Sequence, residues 1–167
     1  MLRLCGGLCV FLAMSYCGFY FSGRLKKRRD FLVAIADALM FIQSEIEFGR
    51  FDLKNIFIRI NDSAALCNFF GRCAELTEDD TIQNAWINAV EECKDKAYLK
   101  QSDTDTLLQL GRQIGMSDVV GQKAAIKRTV THLDQYAKSA DEDYQRLGKP
   151  YRSCGILLGV FCLIIVI

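Results

Sequence analysis

The segment RLKKRRDFLVAIADALMFIQSEI, Arg24–Ile46, joins two kinds of sequence that obey different rules. In its second half Leu32, Ile35, Leu39, Ile42 and Ile46 recur at steps of three and four, which lays one apolar stripe along a helix. Phe31, Ala36 and Ala38 widen the stripe. The predicted helix runs from the basic cluster to about Phe48, where Gly49 supplies a terminator. The first half is different: Arg24, Lys26, Lys27, Arg28 and Arg29 are crowded into six positions, just after an apolar run that ends at Phe21.

Toward the amino terminus, Leu2 to Phe21 is apolar apart from Arg3, Ser15 and tyrosines. About 20 helical residues span roughly 30 Å, the thickness of a bilayer's hydrocarbon core. A signal peptide carries its charge before a short apolar run and a small-residue cleavage site after it. Here the heavier charge follows a long run, and Ala13-Met14-Ser15 is a weak cleavage match. The expectation is an uncleaved transmembrane helix over residues 1–23. Cys154 to Ile167 is a second apolar run, short for a span, and gives an expected transmembrane helix over residues 151–167.

Cytoplasmic flanks of membrane spans carry excess Lys and Arg. The first run is followed by Arg24, Lys26, Lys27, Arg28 and Arg29, and the second is preceded by Arg146, Lys149 and Arg152. Both clusters lie on the side of the middle segment. The expected topology is a hairpin with residues 24–150 in the cytoplasm and both termini outside. Gly155 and Gly159 form a GxxxG in the second run, a spacing that lets helices approach closely in lipid, here with the first span as the candidate neighbour.

The middle reads as helix throughout. Leu53, Ile56, Phe57 and Ile60 mark a short amphipathic helix with Asp52 as candidate N-cap, and Asn61-Asp62-Ser63 a turn. Leu66, Phe69, Phe70, Cys73 and Leu76 mark the next helix. Thr77 to Asp80 reads as a loop ending in a cap. Ile82, Ala85, Trp86, Ala89, Val90 and Cys93 then recur at helical spacing. Ser102 to Asp105 resembles a capping box that opens a helix through Leu107, Leu110 and Ile114, with Gly115 as its end and Ser117 as the next cap. A last helix, Asp118 to about Leu147, is expected to feed into the second span, bent or interrupted at Pro150, the sole proline. The fold class is all-α: an antiparallel bundle of about six cytoplasmic helices flanked by two transmembrane helices.

With 21 basic and 20 acidic residues, the overall charge gives no reason to expect a nucleic-acid partner, and aromatic platforms on a basic face are missing. The eight cysteines include no C-x-x-C and stand beside a single histidine, so neither a zinc site nor a disulfide framework fits. His132, with Thr131 and Asp134 near it in sequence, shares no helical face with an adjacent partner. Glu45 and Glu47 flank an apolar position as a solvated rim, and Glu78, Asp79 and Asp80 lack the spacing of a calcium loop. No phosphate-binding glycine loop appears. Catalytic, cofactor and metal residues are therefore expected to be none, with no small-molecule substrate.

The stretch LLQLGRQIGMSD, Leu107 to Asp118, resembles the L-x-x-L-G-x-x-L-G-x-S-D segment of the stage III sporulation protein AB family, through Leu110, Gly111, Gly115, Ser117 and Asp118, with Ile114 in place of leucine. LMFIQSEIEFGRFDL, Leu39 to Leu53, is similar to the family's L-x-x-L-x-x-E-I-x-Y-x-x-x-P-L, with Glu45, Ile46 and Leu53 in place. Tyr151, Gly155 and Gly159 match its ending, and Gln122 follows the Ser-Asp at a familiar distance. Phe48 stands where tyrosine is usual, Asp52 where proline is usual, and Cys154 replaces an apolar leucine. The resemblance implies a role in the channel complex that links mother cell and forespore, in the membrane around the forespore. It also implies a soluble domain, residues 24–150, similar to the cytoplasmic domains of type II secretion system F proteins. The partners it implies are a cytoplasmic secretion-type ATPase and other channel-complex subunits. It carries no catalytic motif and leaves a homo-oligomer open. Beside it stands a plainer alternative, a membrane-anchored helical adaptor unrelated to secretion.

Overall fold

The computed structural model of the chain describes residues 2–49, 52–60, 64–114 and 119–166, with side chains from residue 6 onward except 163, 165 and 166. Six α-helices account for nearly all of them: α1 (Leu2–Glu47), α2 (Leu53–Arg59), α3 (Phe69–Leu76), α4 (Ile82–Ala97), α5 (Gln101–Gln113) and α6 (Val119–Val166), with a short 3-10 turn at Ala64–Leu66. No strand occurs among the described residues. The expected Asn61-Asp62-Ser63 turn, and the roles given to Gly115, Ser117 and Asp118, lie outside the described residues.

The chain divides into two units. One comprises residues up to Arg29 together with those from Ser139; the other is Asp30–Lys138. Helices α1 and α6 contribute to both.

Asp30–Lys138 is an all-α bundle with its core where the apolar stripes predict it. Phe31, Leu32, Ile35, Leu39, Ile42 and Ile46 on α1 are buried, as are Ile126, Leu133 and Ala137 on α6. At the centre stands Trp86 of α4, its ring edge-on to Phe69 at 4.8 Å between centroids and within 6.1 Å of Phe57 and Phe70. Aromatic pairs prefer such tilted and edge-on arrangements. The indole Nε1–H donates to the Leu107 carbonyl at 2.9 Å, so the one polar atom of this buried ring is satisfied. Gly111 lies against the indole: a Cβ there would come within 2.4 Å of Trp86 Cδ1. That close approach gives a packing reason for one glycine of the Leu107–Asp118 motif.

Ends of helices follow local chemistry. α1 stops before Gly49, which has φ +80 and donates to the Ile46 carbonyl. Asp52 caps α2, accepting from Asn55 N–H at 3.4 Å and from the Asn55 side chain at 2.6 Å. α3 begins only at Phe69, because Cys67 and Asn68 turn into the left-handed region, leaving Leu66 in the 3-10 turn before it. The cap of α4 is Thr81, which accepts from Asn84 N–H. Asp80 beside it accepts from Thr81 N–H at 2.6 Å and from the Asn84 side chain at 2.9 Å, and these bonds hold its carboxyl below the usual range.

Three expectations need correction. The capping box at α5 is shifted by two residues. Lys100 is the N-cap, and Asp103, fully buried, accepts from Lys100 N–H at 2.9 Å; a lysine side chain has no acceptor, so only the back-reaching half of the motif exists. α1 does not restart at the basic cluster, since Arg, Lys and Leu are good helix formers and no proline intervenes. α6 runs on through Pro150, so of the expected bend or interruption the interruption does not occur. Pro150 removes the donor to the Arg146 carbonyl, and both residues are exposed, so the loss falls on an exposed stretch of the helix.

Candidate functional site

The unit built from the outer ends of α1 and α6 pairs the two helices through small residues. A Cβ on Gly155 would lie 2.9 Å from the Met14 carbonyl oxygen and 3.0 Å from Gly18 Cα. A Cβ on Gly18 would lie 2.6 Å from the Tyr151 carbonyl oxygen, and one on Gly159 would lie 2.9 Å from the Phe11 ring. Backbone meets backbone here, and the large side chains point away: Leu12, Tyr16, Leu157 and Phe161 are 58, 71, 67 and 62% exposed. The segment Gly6–Glu47 is long and apolar enough to cross a membrane.

Where the apolar runs end, charge takes over. Of the eight flanking basic residues, Arg24, Lys26, Lys27, Arg146 and Lys149 are exposed, Arg29 and Arg152 are half-buried, and Arg28 is buried. Arg29 Nη1 donates to Asp141 Oδ1 at 3.2 Å and stacks its guanidinium 5.2 Å over the Tyr144 ring. Arg28 Nη1 lies 3.9 Å from Asp143 Oδ2. A buried guanidinium without a counter-charge costs several times more than a partly exposed pair returns, about 0–1 kcal/mol, so Asp143 matters chiefly as the partner that makes the burial of Arg28 tolerable. Arg152 is held by neutral groups: its Nε donates to Ser22 Oγ at 2.9 Å, its Nη2 to Tyr144 Oη at 3.3 Å, and it lies 5.8 Å from the Phe19 ring centre. A hollow of about 370 Å³ opens here, lined by Tyr144, Gln145, Gly148, Lys149 and Arg152.

The acidic alternation on α6, Asp141 and Asp143, was the missing half of the basic cluster. The pairs are about a hundred residues apart in sequence, and only their joint position just inside two apolar runs hinted at it. Glu45 is likewise not a solvated rim residue: it is buried and accepts from Arg59 Nη1 of α2 at 2.6 Å, while Glu47 pairs with Lys123. A carboxylate taken out of water needs such a partner.

The residues weighed for chemistry do not converge. His132 is exposed and stacks on Tyr136 at 6.5 Å, beside a shallow depression of about 160 Å³ that also takes in Arg128, Thr129 and Gln109, with no carboxylate in its lining. Glu78 pairs with Lys54, and Asp80 is engaged at the start of α4. Cys9, Cys17, Cys67, Cys73, Cys93, Cys154 and Cys162 are free thiols. Among the described residues no group of three His, Cys, Asp or Glu is placed to hold a metal.

Fold and geometry thus define an all-α bundle protein with, among the described residues, one helix long and apolar enough to cross a membrane and a charged collar where its apolar ends stop. A family model described as stage III sporulation protein AB matches residues 3–167, and the chain belongs to that family. It is similar to stage III sporulation protein AB of Bacillus subtilis (strain 168), at 24% identity over 169 residues that cover 99% of each chain. A solved structure of a stage III sporulation protein AB, 22% identical, superposes with a TM-score of 0.60 over 71% of this chain and 96% of that one, a likeness of fold.

Proposed function

We infer that the chain is a non-catalytic platform subunit of the sporulation channel complex between mother cell and forespore. In this reading it is held in the membrane by both apolar ends, and its cytoplasmic bundle docks a secretion-type ATPase. The observation that carries it is family membership across residues 3–167, which takes in the bundle and both apolar ends together. The distribution of side chains supports it. The outer ends of α1 and α6 turn leucines and aromatics outward around a glycine contact, as lipid-exposed helices do. Gly155 and Gly159 then serve as the packing surface in the bilayer, and Arg24, Lys26, Lys27, Arg28, Arg29, Arg146, Lys149 and Arg152 keep the bundle on the cytoplasmic side. A subunit of this kind works by anchorage and contact and needs no polar pocket.

Complementation in a sporulating strain that lacks its own copy tests this. Chains without residues 1–23 or 151–167 are expected to leave sporulation blocked even where the bundle accumulates. His132→Ala is expected to restore it fully, and the ATPase is expected to co-purify with the full chain from membranes. Restoration by the untethered bundle, or loss of function in a folded His132→Ala chain, would contradict the platform.

A further inference from the structure

We propose that the paired ends of α1 and α6 carry a site for the phosphate group of an anionic phospholipid, with Arg152 and Lys149 as its ligands. The inference rests on the membrane placement described above and names what the charged collar binds there.

Arg152 differs from Arg28 and Arg29. Arg28 and Arg29 face Asp143 and Asp141, whereas the partners of Arg152 among the described residues are a serine hydroxyl, a tyrosine hydroxyl and a phenylalanine ring. These groups fix the direction of the guanidinium without neutralising it. Its charge is half-buried, which raises the value of an anion delivered to it. Lys149 lines the same hollow, less than one helical turn away. The hollow, about 370 Å³, has no carboxylate in its lining, so it offers two cations to a phosphate and nothing to the ammonium of a zwitterionic headgroup. Gly148 belongs to the device: a Cβ there would press to 3.1 Å on the Tyr144 ring and 3.3 Å on Ser22 Oγ, the two groups that aim Arg152.

Depth favours a lipid over a soluble anion. Arg152 lies two residues before the apolar run from Cys154, and the Phe21 and Tyr151 rings pack at 5.9 Å beside this boundary, where aromatic side chains sit at the headgroup level. Leu157 and Phe161, further along α6, are exposed and available to an acyl chain. Clusters of Lys and Arg just cytoplasmic of a span attract anionic lipid in general; the hollow makes one position among them specific.

The test uses the full chain in phosphatidylcholine nanodiscs, with dioleoylphosphatidylglycerol titrated in and bound lipid counted by native mass spectrometry. Saturable binding of phosphatidylglycerol over phosphatidylcholine is expected. Lys149→Gln, at an exposed position, is expected to weaken it by more than the roughly fivefold that one diffusely attracting basic residue contributes, and Arg152→Gln further, whereas Lys26→Gln, equally basic and outside the hollow, is expected to cost no more than that diffuse contribution. Inorganic phosphate at millimolar concentration is expected not to displace the lipid. Equal loss from Lys26→Gln and Lys149→Gln would mean diffuse attraction and overturn the site, as would displacement by inorganic phosphate or indifference to Lys149→Gln. A chain that inserts into the discs but shows no lipid preference sinks this site alone. A chain that fails to insert sinks both the site and the membrane placement beneath it.

Discussion

Asp30–Lys138 and the paired outer ends of α1 and α6 put the same residue types in opposite places. In the first unit Leu32, Leu39, Phe31, Phe69 and Trp86 are fully buried, and ion pairs such as Arg72–Glu92 and Lys123–Glu47 share the surface with scattered apolar side chains, Phe48, Ile58 and Val120 among them. In the second, leucines and aromatics face outward, and Gly18 and Gly155 occupy the contact. Water drives apolar side chains inward because their burial releases about 25 cal/mol per Å². Lipid offers no such gain, so helices associate there through close backbone approach at small residues. Under the membrane placement proposed above, one chain meets two solvents, and the boundary falls where Arg28 and Arg29 meet Asp143 and Asp141.

The sharpest break of this comparison is one charge placed on each side. Leu39→Asp puts a carboxylate at a fully buried position of the bundle. An uncompensated buried charge costs about 3–5 kcal/mol, a large part of a domain's roughly 5–15 kcal/mol. The bundle is expected to unfold, seen as a red shift of Trp86 emission. Leu12→Asp, at a 58% exposed position, is expected to leave Trp86 emission untouched and to disfavour insertion by about 2.5–3.5 kcal/mol, read as loss of flotation with liposomes. Equal effects of both on Trp86 would erase the distinction.

A smaller effect tests the glycine contact. Gly155→Leu drives a side chain into the Met14 carbonyl and Gly18, and overpacking of this kind costs about 1–3 kcal/mol. Thermal unfolding of the full chain in micelles should lose ellipticity at lower temperature while Trp86 emission melts as before. An unchanged transition would mean that close approach at Gly155 contributes nothing to the pair.

The smallest effect belongs to the capped start of α4. Hydrogen bonds from the Asn84 side chain and Thr81 N–H lower the Asp80 pKa from 3.8. Its contribution is therefore complete above that value and lost as pH falls through the lower folded one. The melting-temperature gap between the wild-type chain and Asp80→Ala is expected to be steady from about pH 7 to 5 and to shrink as pH falls below 3.8. A gap that does not shrink on acidification would mean the carboxylate's charge plays no part.

Much of the bundle was legible because periodicity reports burial directly: Leu32, Ile35, Leu39, Ile42 and Ile46 are all buried. Asp52 and Gly49 were legible as punctuation because their chemistry is local. What escaped was long-range. Asp103 is buried at the head of α5, yet Ser102 beside it is the better N-cap by type, so the helix start read two residues late. The Glu45–Arg59 pair joins two helices across a turn that no spacing rule connects. At the charged collar, the basic residues read as topology signals, and that reading hid the ion pairs of Arg28 and Arg29. Nothing in RLKKRR says that Arg28 and Arg29 find carboxylates on α6, and nothing around Arg152 says that its partners among the described residues are hydroxyls and a ring.

The two-solvent account is tested most directly by light. The chain has one tryptophan, Trp86, and it is fully buried in the bundle. Leu157→Trp adds a second at a position 67% exposed on the outer end of α6. In vesicles of bromine-labelled phospholipid, the wild-type emission should match that in unlabelled vesicles, and the added emission of Leu157→Trp should be strongly quenched. Added emission that is indifferent to bromine, but quenched by iodide from the water, would place this face of α6 in solvent and contradict the account.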